Sequence, residues 1–497
     1  MTETAADRVV DRFDSLDPAT GALVGRFPGH DQAAVADAVR RARVAADWWV
    51  GLGFAGRERR LRAWKAILAR RMPVLADLIH RETGKPVDDA LLELVLVVDH
   101  LDWAARHAGR VLGRRRAPAG LLMVNQAASV EHVPYGVVGV IGPWNYPAFT
   151  PMGSIGYALA AGNAVVFKPS EYTPAVGTWL ADALADVVPE HPVLQVVTGL
   201  GETGAALCRA GVDKLAFTGS TATARRVMAA CAETLTPVLV ECGGKDALIV
   251  DSDADLVAAA DAALWGGMSN AGQTCVGVER VYVVDRVYDE FVSTLVTRAT
   301  EVRAGEDREA SYGPMTMPAQ CDVVRRHIAD ALDRGARAVL GGPESVRPPF
   351  VDPVILVDVP EDALAVQEET FGPTLTVSRV RDADEAVERA NGTRYGLAAA
   401  VFAGRRGEQI ARRLRVGMAS VNSVIAFAAV PALPFGGVGD SGFGRIHGPD
   451  GLREFARAKA ITRQRFSPPV AVTSFRRGER AFARMVSGIQ ALHGRRS

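Results

Sequence analysis

Residues 137–147 read Val-Val-Gly-Val-Ile-Gly-Pro-Trp-Asn-Tyr-Pro, and the reading of this stretch decides the fold. Val137 to Ile141 is a short β-branched run of the kind that forms a strand buried on both faces. The loop after it, Pro143-Trp144-Asn145-Tyr146-Pro147, is rigid and carries an amide side chain. Open α/β sheets place their ligand sites there, at the carboxyl ends of strands.

Outward from this strand, short apolar segments alternate with helical stretches as far as about residue 250. They are Ala164–Phe167, Leu194–Val197, Lys214–Phe217, Pro237–Val240 and Ala247–Val250. The alternation predicts a parallel sheet covered by helices, a dinucleotide-type α/β fold. A second alternating region runs from about 255 to 435, with strands expected at Arg280–Val284, Ala338–Leu340, Thr374–Val377 and Ala398–Phe402. Residues 31–115 are expected to be helical, with apolar spacing of three and four in Asp31–Trp49 and in Glu58–Arg81. Leu121–Asn125 and Ser129–Pro134 read as two short strands.

The bulk numbers bound the function. A chain of 497 residues, 48% hydrophobic and 23% charged, has room for two or three domains. Its net charge of zero lacks the basic surplus of a nucleic-acid binder. The five cysteines form no Cys-x-x-Cys pair and no cluster with metal-ligand spacing, so free thiols, a reducing compartment and no metal are expected. Met1 to Asp14 has no apolar core of a secretory signal. The runs Leu91–Val98 and Val137–Ile141 fall short of the roughly 20 residues that cross a bilayer. A cytoplasmic location is expected. Only six of the 57 basic residues are lysine, so each lysine marks a place suited to a compact ammonium.

Five further segments carry polar groups near glycines or strand ends. Asn270-Ala271-Gly272-Gln273-Thr274-Cys275 presents a thiol behind small residues, and Glu241-Cys242-Gly243-Gly244-Lys245 a carboxylate followed by bare backbone. Phe167-Lys168-Pro169-Ser170-Glu171 follows one strand. Phe217-Thr218-Gly219-Ser220 ends another and opens a helix, a ready anion site. The fifth is Glu368-Glu369-Thr370-Phe371-Gly372-Pro373. Taken singly, a lone cysteine is more often a small core residue, and a glutamate near glycines is more often structural.

In this order and at these intervals, from about Asp14 to Phe466, the motifs resemble the aldehyde dehydrogenase superfamily. Tyr395-Gly396-Leu397 and the run from Pro434 to Gly442 add to the resemblance. It implies Cys275 as the nucleophile and Asn145 as oxyanion donor. It implies Glu241 as the base for thioester hydrolysis, with Lys245 assisting. For the cofactor it implies Trp144, Lys168, Ser170, Glu171, Gly219, Ser220, Gly243, Glu369 and Phe371. A carboxylate at Glu171 favours NAD, with NADP as the alternative. The substrate lining is expected from Tyr146, Thr150, Gly153, Val276 and the run Ile425–Val430 with Phe427. That apolar set points to an aliphatic or aromatic aldehyde oxidised to its acid.

A succinic-semialdehyde-type substrate is the alternative, with Arg280 as the nearby base. A coenzyme-A-acylating or catalytically silent relative is disfavoured by Glu241 and Cys275. The chain departs from the family in Ala224, where glycine is frequent, and in Cys242, where leucine is.

The implied organisation is a Rossmann-type cofactor domain from residues 1–117 and 136–246, with an oligomerisation hairpin at 118–135. A catalytic α/β domain follows at 247–440, then a return segment and oligomerisation strand at 441–466. A homodimer or homotetramer is implied. The tail 467–497 places Phe482, Met485, Val486, Ile489 and Leu492 at helical spacing among arginines. Its reading is a terminal helix against a partner subunit or a loose tail, with weak peripheral membrane contact through 475–497 as the lesser alternative.

Overall fold

The computed structural model describes residues 9–120, 123–467, 474–475 and 478–494. Its contacts divide into two units, residues 1–111 with 134–456, and residues 112–133 with 457–497.

In the larger unit, a six-stranded sheet runs in the order Gly442–Phe443, Val238–Cys242, Lys214–Gly219, Val137–Ile141, Ala164–Lys168, Leu194–Val196. All pairings are parallel except that of Gly442–Phe443. The apolar run starting at Val137 is central, as its composition requires, and Val137 and Val138 have no exposed surface. Each such valine contributes about 1.5–3 kcal/mol by leaving water.

The sequence moves from this strand to Ala164–Lys168 on one side, then returns to Lys214–Gly219 on the other. The crevice beyond Ile141 is therefore a topological switch point. A seven-stranded sheet follows the order Arg337–Leu340, Val354–Val357, Thr374–Val380, Val278–Val284, Asp246–Val250, Ala398–Phe402, Met418–Val421. Only Arg337–Leu340 at its edge pairs antiparallel. The α/β class with two parallel sheets is as expected.

Two local expectations are corrected. Glu58–Arg81 is not one helix but two, Gly53–Arg70 and Met72–Thr83. Pro73 lacks the N–H that would continue the ladder and clashes with the preceding turn, so a new helix starts there. Residues 123–125 are turn rather than strand, and the strand that precedes Gln126–Pro134 and pairs with it is Arg115–Ala117. Leu121 and Leu122 lie outside the described residues.

The smaller unit contains a three-stranded sheet, ordered Ala456–Gln464, Gln126–Pro134, Arg115–Ala117, and the helix Glu479–His493. No helix among the described residues is long and apolar enough to cross a membrane.

Candidate active site

Cys275 reaches the switch-point crevice through a compressed turn. Asn270, Ala271 and Gly272 all have positive φ, at 53°, 56° and 71°. For the first two residues this costs about 1–2 kcal/mol each. A Cβ at Gly272 would lie 2.2 Å from the Gly372 carbonyl, so the chain can pass only as glycine. The fully buried Gln273 braces the turn, donating to Asn270 O at 2.8 Å and accepting from Thr316 N at 2.9 Å.

The Cys275 thiol donates to Glu241 Oε1 at 3.7 Å. Burial, then the Glu241, Glu369 and Asp246 carboxylates, hold this thiol well above the usual cysteine range. It therefore rests protonated and needs a base. Burial pushes Glu241 up to about 7, with the hydrogen bond from Cys275 acting the other way. The second oxygen, Oε2, is buried without a protein partner among the described residues. A carboxylate poised near neutrality beside a protonated thiol can take its proton, or that of a water arriving later.

Asn145 is held from both ends. Its Nδ2 donates to Gln273 O at 2.9 Å, which leaves its other N–H for a ligand. Its backbone carbonyl accepts from Lys85 Nζ at 2.8 Å and Asn270 Nδ2 at 3.0 Å. The next residue, Tyr146, shares a hydrogen bond of 2.9 Å with Thr274 Oγ1, and the Lys85 ammonium lies 4.1 Å from its ring centre.

Two cavities meet at Cys275 and Thr150, which line both. On one side the space carries Trp144, Gly219, Ser220, Gly243, Glu369 and Phe371, and a neighbouring cleft adds Lys168, Ser170 and Glu171. All nine expected cofactor residues thus stand on this side. Ser220 caps the helix Thr221–Ala232 by accepting from Thr223 N. Gly243 is bare because a Cβ there would lie 1.8 Å from Glu369 Oε1. The Gly244 amide donates to the same carboxylate at 3.1 Å, and burial raises Glu369 to about 8. Lys168 Nζ donates to Pro169 O at 3.0 Å and sits 3.7 Å from Glu171 Oε2. Cys242 lines the cavity with a thiol that burial pushes up to about 12, and Ala224 is a buried packing residue.

On the other side a narrow tunnel starts at Cys275 and is lined by Tyr146, Thr150 and Val276. It ends at Leu92 and Trp265, exposed by 48% and 46%.

Two expected lining residues are elsewhere. Gly153 points into the core, where a Cβ would meet His447 Nε2 and Ile446 Cδ1 at 2.8 Å. The helix Phe149–Ala161 is buried on almost every side, so a small residue there does not mark the tunnel face. Phe427 packs on Phe435 at 6.2 Å and faces a separate small cavity behind Val276, while Ile425 and Ala428 turn to the tunnel.

Lys245 is also engaged away from the thiol. Its ammonium pairs with Glu279 and donates to Thr370 Oγ1 at 3.1 Å. The Glu279 carboxylate in turn accepts the Thr370 and Phe371 amides, each at 2.9 Å. Lys245 and Glu279 therefore hold the loop that bears Glu369 and Phe371. Arg280 is spent too, donating to Lys245 O at 2.6 Å and Ala390 O at 3.0 Å.

Sequence reasoning missed Glu93, Gln273 and Glu279, and gave Lys85 no partner. The scarcity of lysine was the one signal for Lys85. Among the described residues no His, Cys, Asp or Glu cluster could hold a metal.

The profile of the Aldehyde dehydrogenase family matches residues 4–461. A protein named 4,4'-diapolycopene aldehyde oxidase, from Methylomonas sp, is 39% identical and aligns over 89% of this chain and 84% of its own. A putative succinate-semialdehyde dehydrogenase [NADP(+)] of Mycolicibacterium smegmatis is 35% identical, over 96% and 94%. The crystal structure of PnpE, from Pseudomonas sp. WBC-3, in complex with nicotinamide adenine dinucleotide superposes with a TM-score of 0.87 at 32% identity, covering 92% and 95%.

Proposed function

The chain belongs to the aldehyde dehydrogenase family, and we propose from that premise that it oxidises an apolar aldehyde to its carboxylic acid through a thioester on Cys275. It is an oxidoreductase acting on aldehydes. The observation that carries the proposal is the position of Cys275, its thiol on Glu241 and its surface shared between two cavities.

In the mechanism we propose, Glu241 accepts the thiol proton and the sulfur attacks the aldehyde carbon. The free N–H of Asn145 holds the oxygen as its charge develops; removing such a donor costs about 100- to 1000-fold. The residues of the second cavity fit a nicotinamide dinucleotide: bare backbone at Gly219 and Gly243, a capped helix start at Ser220, and carboxylates at Glu171 and Glu369. When bound, that group supplies the hydride acceptor. Glu241 gives up the thiol proton to solvent and then takes one from a water that attacks the thioester, so that the C–S bond breaks, the acid leaves and the proton returns to the Cys275 sulfur. A carboxylate so placed supports hydrolysis over transfer to coenzyme A.

We assign the six-stranded sheet to cofactor binding and the seven-stranded sheet to catalysis. NAD is the preferred cofactor, because the Glu171 carboxylate on the cleft repels a 2′-phosphate. NADP is the second reading, favoured by Arg209 and Arg226 on the same cleft.

The substrate reading rests on the tunnel. Its cation, Lys85, is neutralised by Glu93, and Asp89 stands beside it with its pKa raised by burial. A semialdehyde carboxylate would find no unpaired cation there among the described residues, whereas each buried CH₂ gains about 0.8 kcal/mol. Among the relatives, the one named 4,4'-diapolycopene aldehyde oxidase accords with this reading and the one named putative succinate-semialdehyde dehydrogenase with the semialdehyde alternative.

Assembly as a homodimer or homotetramer is supported by the strand Ala456–Gln464, a sheet edge with eight of its nine residues not buried. A cytoplasmic site is supported by the five free cysteines.

The test is kcat/KM for hexanal, benzaldehyde and succinic semialdehyde with either nucleotide, read as nicotinamide reduction, with and without coenzyme A. Hexanal or benzaldehyde is expected to exceed succinic semialdehyde, and coenzyme A to leave turnover unchanged. A tenfold preference for the semialdehyde reverses the substrate reading.

A further inference from the structure

We propose that the helix Glu479–His493 lies flat on an anionic lipid surface. Its 15 residues form a regular helix in which none is buried. Met485, Val486, Ile489 and Leu492 fall within one stripe of that helix, together with Phe482, and Arg480 and Arg484 fall on the opposite side. Val486 and Leu492 are exposed, and Phe475 just before the helix is fully so. Such a stripe belongs in an apolar medium.

Charge selects the medium. From Ser474 to Ser497 the chain has six arginines against one glutamate, although its total charge is zero. The rest of the chain therefore carries the compensating negative charge, and the basic character is concentrated at this end. A second copy of the same segment brings the same net positive charge, whereas an anionic headgroup layer is complementary to it. Length sets the orientation. Fifteen residues at about 1.5 Å each reach about 22 Å, short of the roughly 30 Å hydrocarbon core, so the helix can lie in the interface but not cross it.

The experiment is co-sedimentation of the full chain with phosphatidylcholine vesicles, with and without about 30% phosphatidylglycerol. Binding is expected on the anionic vesicles, at least tenfold weaker on the neutral ones, and falling as salt rises. Arg480→Gln with Arg484→Gln should weaken it about 25-fold, about fivefold for each guanidinium removed. Val486→Asp with Ile489→Asp should abolish it while hexanal turnover and native mass stay unchanged.

No sedimentation of the parent chain, or equal binding to both vesicle types, overturns the proposal. Full binding by either variant does so as well. A fall in subunit number on Val486→Asp with Ile489→Asp also overturns it, because the stripe would then be an interface between copies.

Discussion

Lys85 and Glu93 form an ion pair in which neither side chain has any exposed surface, 2.8 Å apart. Both partners spend their remaining capacity on one loop. Lys85 donates to the Asn145 carbonyl, and the second Glu93 oxygen accepts the Ala148 and Phe149 amides at 2.8 and 2.9 Å. Lys85→Met should leave a buried unpaired carboxylate and cost about 3–5 kcal/mol. Thermal unfolding should show this as a lower Tm. Adding Glu93→Gln removes the stranded charge and should restore most of the Tm. It does not restore the donor to Asn145, so kcat should stay depressed in the double variant. Recovery of both together would make the pair purely structural.

Asn145→Ala should lower kcat about 100- to 1000-fold with little change in Tm. The amide makes one bond within the protein, to Gln273 O, so its loss is small for folding. Steady-state rates with a saturating aldehyde measure this. A KM effect without a kcat effect would place the amide on the substrate rather than on the developing charge.

Glu241 titrates at about 7 because burial disfavours its charged form. The carboxylate is the active form, so turnover should be highest above this value. It should fall about tenfold per pH unit below it. Glu241→Gln should abolish the acidic limb and lower kcat about 100- to 10,000-fold. The first turnover of nicotinamide reduction should slow along with the later ones, because an amide can take a proton from neither the Cys275 thiol nor the water. A limb unchanged in the variant would assign the titration to another group.

Glu171 stands on the cleft with its oxygen 3.7 Å from Lys168 Nζ. Glu171→Gln should raise kcat/KM for NADP relative to NAD by about tenfold, since one charge repulsion of about 1 kcal/mol or more is relieved. Nicotinamide reduction at subsaturating nucleotide reads the ratio. An unchanged ratio would remove Glu171 from cofactor choice.

Much of this architecture is visible in the chain, for reasons that differ by element. Val137–Ile141, Ala164–Lys168 and Lys214–Gly219 are mostly buried, so their apolar runs mark each strand to within one or two residues. The two-helix break at Arg71 is masked because apolar spacing continues through Pro73. Gly153 was misplaced because its helix is buried on almost every side, so periodicity no longer tells which side faces the tunnel, and Phe427 because it sits in a single short turn that has no period to read.

The residues that meet the cavities lie in recognisable motifs. Those that hold them, such as Glu93 and Glu279, are single carboxylates whose partners are distant in sequence. Glu93 lies 55 residues from Ala148, and Glu279 lies 91 from Thr370. Nothing local marks such pairings.

The Cys275 sulfur has two doorways, one for each cavity it borders. In the mechanism proposed above, the dinucleotide uses one of them and the aldehyde the other. Blocking agents should accordingly sort into two kinds by entrance. A hydrocarbon plug would compete with aldehyde alone, and a nucleotide fragment with the dinucleotide alone. The two plugs could sit in one subunit at the same time.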